Sequence, residues 1–325
     1  MNGSETRDEK LTILMPVYND WEALSLLLPL LDRELKAGGL AVGIVLVDDA
    51  STTAPPKNFA ALFEAIATID VLSLRRNLGH QRAIAVGLSY IEANHPQSAV
   101  VVMDSDGQDD PKDVPRLIRE CVTHGGEKIV FAARTKRSEG WIFTFFYHLY
   151  RLIHFLLIGI RVRVGNFSVV PPRALKRLVA VSELWNHYAA AVHKAKLPME
   201  FIPSERATRL AGSSRMDMVS LAVHGLSAMA VFGDRIGVRL LIVVSAGMVL
   251  TVTAVGIVIA TRLVTDLAIP GWATYATGLL FVMLMQMLLV ILVFIFVILA
   301  ARNAAHMLPT HNYGQFIGDR QRIYG

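Results

Sequence analysis

Asp104-Ser105-Asp106-Gly107-Gln108 sets two carboxylates one residue apart, directly after the apolar, β-rich run Ala99 to Met103. Two hard oxygen ligands leaving a sheet edge together can hold Mg²⁺ or Mn²⁺, with the remaining coordination positions left to phosphate oxygens and water. A lone Asp-x-Asp also fits a solvated acidic turn, so its meaning depends on its company. That company is Pro16-Val17-Tyr18-Asn19, the pair Asp48-Asp49 followed by Ser51, and Asn77-Leu78-Gly79-His80-Gln81. Each of these alone is ordinary turn chemistry. All of them precede the acidic pair and follow a strand-like run, which gathers short polar groups and carboxylates able to bond a base and a ribose.

The elements that must position these residues alternate through residues 1–135. Strands are predicted at Leu11 to Met15, Val42 to Val47, Val71 to Leu74, Ala99 to Met103 and Lys128 to Ala132. Helices are predicted at Glu22 to Lys36, Gln81 to Glu92 and Val114 to Val122. The alternation argues for an α/β fold, a mostly parallel sheet flanked by helices. In such a sheet ligands bind beyond the carboxyl ends of the strands, where these motifs fall.

Hydrophobic residues make up 53% of the 325-residue chain and are concentrated late. Leu240 to Ala260 and Leu267 to Ala301 are uncharged but for Arg262 and Asp266 between them, and each meets the roughly 20 residues needed to cross a bilayer. Two transmembrane helices are expected, at 239–262 and 273–301. The flanks carry Arg235, Arg239, Arg302, Arg320 and Arg322, so the positive-inside bias puts both chain ends in the cytoplasm. Gln286 suits a helix-to-helix hydrogen bond, and Gly247, Gly256 and Gly278 allow the close packing of a homo-oligomer. Trp141 to Ile160 is a third apolar stretch, interrupted by His148, Arg151 and His154; a helix lying in the membrane interface fits it, with a buried core helix as the alternative.

The expected organisation is therefore a cytoplasmic catalytic domain over 1–230, including the interfacial segment 141–160, a membrane module over 231–302 and a cytoplasmic tail over 303–325. Met1 to Lys10 is polar and predicts no secretory signal. Cys121 is the single cysteine, which excludes an intramolecular disulfide and a multi-thiol zinc site. The net charge of +5 resides partly in Arg209, Arg215, Arg235, Arg239 and Arg302, near the membrane, which favours anionic headgroups over nucleic acid.

With these residues in view, the chain resembles the family-2 glycosyltransferases of GT-A (Rossmann-like) fold, and within them the polyprenyl-phosphate glycosyltransferases. The matching segments are Pro16-Val17-Tyr18-Asn19, Val47-Asp48-Asp49-Ala50-Ser51, Arg76-Asn77-Leu78-Gly79, Met103 through Pro111, and Arg206 through Arg215. The resemblance covers residues 10–235, and the two-helix tail matches one bacterial branch. It implies a metal site at Asp104, Asp106 and Gln108, with Mg²⁺ or Mn²⁺, and catalytic roles for Asp104, Asp106 and Arg134. It implies a donor site for a UDP- or GDP-linked sugar at Pro16, Tyr18, Asn19, Asp48, Asp49, Asn77, Gly79, Gln81 and Asp104. It places the acceptor phosphate at Asn166, Ser168, Arg206, Arg209 and Arg215, where guanidinium forks match phosphate oxygens.

Many relatives carry an acid followed by Phe-Arg where this chain reads Gly165-Asn166-Phe167-Ser168, and Arg215 stands where they often have lysine. Asn166 cannot be a general base, but a monoalkyl phosphate, with a second pKa of about 6, is already an ionised nucleophile. The expected activity is inverting transfer of one sugar to a polyprenyl phosphate, within cell-envelope synthesis. A processive polysaccharide synthase and a catalytically weak membrane-bound binding protein are the alternatives. Processive synthases usually show Gln-x-x-Arg-Trp, and no Arg-Trp pair occurs here.

Overall fold

The computed structural model describes residues 11–54, 62–134, 159, 165–212, 218–265, 271–303 and 307–325. The chain forms two units: Met1–Trp141, Val162–Val231 and His306–Gly325 in one, Ile142–Arg161 and Phe232–Ala305 in the other.

The first unit opens with β1 (Leu11–Val17), α1 (Trp21–Ala37), β2 (Val42–Asp48), β3 (Ile66–Leu74), α2 (His80–Asn94), β4 (Ala99–Val102), α3 (Asp113–Thr123) and β5 (Ile129–Arg134). It continues through β6 (Ser168–Val170), α4 (Pro172–Leu178), α5 (Tyr188–Lys194), β7 (Met199–Ser204) and α6 (Met218–Ala230). After the second unit the chain returns as α9 (Pro309–Asn312) and β8 (Ile317–Tyr324), the labels α7 and α8 being kept for the two helices between. The strands make one sheet in the order β7-β5-β6-β4-β1-β2-β3-β8. Pairing is parallel except that β6 runs against β4 and β5, and β8 runs against β3.

Both faces of the sheet are covered, so its central strands are apolar on both sides. Ile13 and Met15 of β1 pack with α1 and α3, while Leu14 faces α2. In α1 the buried positions Leu24, Leu27, Leu28, Leu31 and Leu35 recur at helical spacing and form one stripe toward the sheet. Gly87 lets α2 approach: a Cβ there would stand 2.3 Å from Leu14 Cδ1 and 2.9 Å from Val47 Cγ2. In register, Val17 lies beside Asp48, and Asp48 beside Ser73. The loops after β1, β2, β3 and β4 therefore collect at one edge.

β3 begins at Ile66 rather than Val71. Asp70 interrupts its apolar pattern, and that carboxylate is buried in the strand because β8 brings cations to it. Arg322 Nε donates to Asp70 Oδ1 at 2.9 Å, and Arg320 Nη2 lies 3.4 Å from Oδ2. Tyr324 Oη donates to Phe63 O at 3.0 Å, and the Arg75 N–H donates to Phe316 O at 2.9 Å. Residues 307–325, read from sequence as a tail, thus carry the eighth strand of the sheet.

The second unit contains α7 (Gly233–Val264) and α8 (Trp272–Asn303). Both are long and apolar enough to cross a membrane, with mean hydropathy of 2.5 and 3.2 in their most apolar stretches. A Cβ at Gly247 would crowd Met287 and one at Gly237 would crowd Ile298, whereas a Cβ at Gly256 or Gly278 would meet no neighbouring side chain within 4 Å. Gln286 is exposed on α8, so a partner for its amide would have to come from outside this helix pair. The interfacial segment expected at 141–160 lies outside the described residues except for Gly159.

Burial alone would raise the Asp70 pKa, but the bond to Arg322 and the charges of Arg322 and Arg320 outweigh it and hold the group below the usual carboxylate range. Arg322→Met should lower the thermal midpoint near pH 7, because the buried Asp70 carboxylate loses its 2.9 Å bond to Nε. A depressed pKa contributes fully above the unfolded carboxylate value and is lost as pH falls through the folded one. The difference between variant and parent should therefore narrow in acid, as thermal unfolding across pH will register.

Candidate active site

The loop after β4 is fixed before it meets any ligand. Its Asp104 N–H donates to Asp109 Oδ2 at 2.9 Å, and Ser105 Oγ donates to Pro16 O at 2.9 Å. Asp106 Oδ1 accepts from the Gln108 N–H at 2.9 Å, across a turn in which Gly107 has φ +82°. Desolvation, together with the charge of Asp104, raises the Asp106 pKa against the opposing Gln108 N–H and Arg209.

Beside Asp104 stands His80, the first residue of α2, with Nε2 3.3 Å from Asp104 Oδ1. Withdrawal from water lowers its pKa, but the carboxylates of Asp104, Asp109 and Asp106 outweigh that and raise it. Asn166 Nδ2 lies 2.9 Å from His80 Nε2, and Gln81 Nε2 donates to Asn166 Oδ1 at 3.2 Å. Gln81 Oε1 in turn accepts from the Tyr188 N–H at 2.7 Å, which ties this polar row to α5.

On the other side of Asp106 lies the segment after β7. Arg209 Nη1 donates to Asp106 Oδ2 at 2.9 Å, and Nη2 donates to Asp20. Arg206 donates to Gln108 Oε1. The backbone follows: Ala207 N–H donates to Gln108 O at 3.0 Å and Leu210 N–H to Asp106 O at 3.1 Å.

Several residues expected to touch the donor are engaged in shaping loops. Asn19, with φ 56°, accepts at Oδ1 from the N–H and hydroxyl groups of Thr52 and Thr53, and so clasps the loop after β2. Asp48 Oδ1 accepts from the Ser51 N–H at 3.0 Å. Asp49, only 3% exposed, accepts from Leu78 N–H at 2.6 Å and Gly79 N–H at 2.8 Å. Desolvation raises its pKa in spite of those two bonds. Asn77 donates to Asp49 O at 3.2 Å. Tyr18 is 39% exposed at the same edge.

Ser168 is fully buried in β6, its hydroxyl 2.6 Å from Tyr188 Oη and donating to Asn166 O. It thereby braces Asn166. Arg134 ends β5 in register with Ser204. Arg215 lies outside the described residues. Asp20, His80 and Asp109 belong to the site without having been singled out from sequence. His80 sits inside the segment Asn77 to Gln81, Asp20 stands directly before a predicted helix, and Asp109 follows the acidic pair, so each had a signal of position but none of role.

The residues that could hold a dication are Asp104, Asp106 and Gln108 through its amide oxygen, all hard oxygens. Among the described residues no group of three or more His, Cys, Asp and Glu forms a metal cage. Two carboxylates suit Mg²⁺ or Mn²⁺ that shares its coordination with substrate phosphates, so the residues fit such an ion.

A carboxylate-bearing edge of a mostly parallel sheet, facing polar loops, is where an α/β protein of this layout binds its ligands. The chain belongs to Glycosyl transferase family 2, whose sequence pattern matches residues 12–179, just over half of its length. It is 22% identical to an uncharacterized glycosyltransferase of Synechocystis sp. (strain ATCC 27184 / PCC 6803 / Kazusa), over 84% of this chain and 85% of that one. It is 32% identical to the undecaprenyl-phosphate 4-deoxy-4-formamido-L-arabinose transferase of Serratia proteamaculans (strain 568), over 41% of this chain and 39% of that protein's length. The fold is shared with glucosyl-3-phosphoglycerate synthase from Mycobacterium tuberculosis, solved with Mn²⁺, UDP-glucose and phosphoglyceric acid. That match has a TM-score of 0.50 and 17% identity, over 71% of this chain and 80% of that one.

Asp49→Ala leaves the Leu78 and Gly79 N–H groups without their acceptor. Stability should drop by about 1–3 kcal/mol, measured by thermal unfolding, and the loop before α2 should gain hydrogen exchange before the rest of the sheet does.

Proposed function

We propose that this protein transfers a single sugar, with inversion, from a UDP- or GDP-linked donor to an undecaprenyl-type polyprenyl phosphate at the cytoplasmic face of a membrane. The observation that carries the reading is the combination of Asp104 and Asp106 at a polar sheet edge with two helices of membrane-crossing length in the same chain. The sugar transferase of Serratia proteamaculans, similar over part of its length, is named for an undecaprenyl-phosphate substrate. The Mycobacterium tuberculosis synthase holds a donor of the proposed class.

Residues 1–230 then form the catalytic domain, 231–302 the membrane module, and 303–325 a return to the cytoplasmic side. β8 pairs with β3, so the segments before α7 and after α8 end in one domain. Two crossings satisfy that requirement, and the flanking arginines favour the cytoplasm.

The donor lies in this reading across the loops after β1, β2 and β3, with Tyr18, Asn77 and Gly79 lining it and Asp48, Asp49 and Asn19 keeping those loops in shape. Asp104, Asp106 and Gln108 would hold the dication, which would supply positive charge against the departing nucleoside diphosphate. His80, Asn166 and Gln81 border the reacting side. Asn166 takes no proton from an alcohol, which matches a nucleophile that arrives ionised, as a phosphate monoester does. Arg206 and Arg215 supply guanidinium groups to align it, and Arg134 stands near the sugar and phosphates. Catalysis then rests on positioning and electrostatics, and one displacement inverts the anomeric carbon.

Purified protein incubated with polyprenyl phosphate and a panel of UDP-, GDP- and dTDP-sugars should yield one glycolipid heavier by a single sugar, read by mass spectrometry. A ladder of products would favour a processive synthase, and no glycolipid with any donor would refute the reading. Asp106→Ala should reduce transfer by at least about a hundredfold while the protein remains folded.

A further inference from the structure

Arg209 is held more completely than a loosely waiting phosphate clamp would be. Nη1 bonds Asp106, Nη2 bonds Asp20, and Nε donates to Ala211 O at 2.9 Å, leaving 15% of the side chain exposed. Asp20 stands just before α1, where a carboxylate ordinarily bonds helix N–H groups. It makes no such cap bond, and its carboxylate goes to the arginine. The segment carrying Arg209 is also locked to the acidic loop, with Leu210 packed over Gly107 so closely that a Cβ there would stand 2.5 Å from Leu210 Cγ.

Arg209 already sits on Asp106 Oδ2, and a dication drawn to the same carboxylate would stand close enough to the guanidinium to be repelled by it. Asp20 offers the same guanidinium a second anion. On the Asp20 side a cleft of about 230 Å³, bordered by Asn19, Glu22 and Ala211, leaves room for the side chain to shift.

We propose that Arg209 is the built-in counter-ion of Asp106, displaced by the incoming dication and retained by Asp20, and that this exchange makes metal and donor bind together. The inference rests on the proposed reading of Asp104 and Asp106 as metal ligands. Displacing Arg209 penalises the bare ion, and the diphosphate, by adding negative charge, offsets the penalty. By linkage each of the two ligands then tightens the other. Asp20 is a positioning residue here, acting through Arg209.

Mn²⁺ binding to the full-length protein in detergent, measured by electron paramagnetic resonance with and without UDP, tests this. The parent should bind Mn²⁺ weakly alone and at least about tenfold more tightly with UDP. Arg209→Met should bind Mn²⁺ alone at least about fivefold more tightly than the parent, with a smaller gain from UDP. Arg209→Lys, which keeps the charge, should stay near the parent. Asp20→Asn should weaken Mn²⁺ binding severalfold in the parent and leave it unchanged in Arg209→Met, because its effect passes through the arginine. Equal Mn²⁺ affinity in parent and Arg209→Met would overturn the proposal, as would an equal effect of Asp20→Asn in both backgrounds. No Mn²⁺ binding in any form with UDP present would instead remove the metal reading, and the exchange with it.

Discussion

Parallel strand register draws Asp20, Asp48, Asp49, Asp104, Asp106 and Asp109 to one edge, and the mutual repulsion of these carboxylates is the constraint on which the rest of the site depends. Each is given its own answer. Asp49 and Asp109 are turned inward to backbone N–H groups, and Asp48 closes a turn at Ser51. Asp104 has His80 beside it, and Asp106 and Asp20 share Arg209. Acidic residues that look equivalent in sequence are thereby sorted into those that build loops and those left facing the cleft. Burial with hydrogen bonds does the first, and neighbouring cations temper the second.

That sorting explains what the sequence could and could not disclose. β1, β2, β4 and the helices α1 to α3 were legible because apolar residues repeat there with the period of each element. The acidic pair was legible because it follows such a strand. Asp49 was not distinguishable from Asp48, since which one turns inward depends on N–H groups of Leu78 and Gly79, far along the chain. Ser168 gave no sign that Tyr188 would claim its hydroxyl. β3 was shortened in the reading because a buried Asp70 makes sense only with Arg320 and Arg322 in place. β8 itself, Ile-Gly-Asp-Arg-Gln-Arg-Ile-Tyr, has the charged composition of an exposed edge and reads as tail.

The reacting side is equally particular. His80, Asn166 and Gln81 form a row of hydrogen-bonding groups without a carboxylate of their own, beside two carboxylates suited to a cation. Such an arrangement separates the charges of a group transfer. In the proposed reaction, negative charge leaving with a diphosphate would meet the side held by Asp104 and Asp106, and the incoming nucleophile would meet the amides and the imidazole.

The eighth strand has a consequence for how the molecule is made. Its partner β3 emerges from the ribosome early, yet β8 is encoded after both long apolar helices. Until β8 has been synthesised, the backbone groups of β3 on that side have no strand to pair with, and Asp70 has no arginines. The sheet can therefore be finished only after the hydrophobic hairpin has been synthesised, so that completion of the enzyme's interior follows delivery of its greasy segments rather than preceding it.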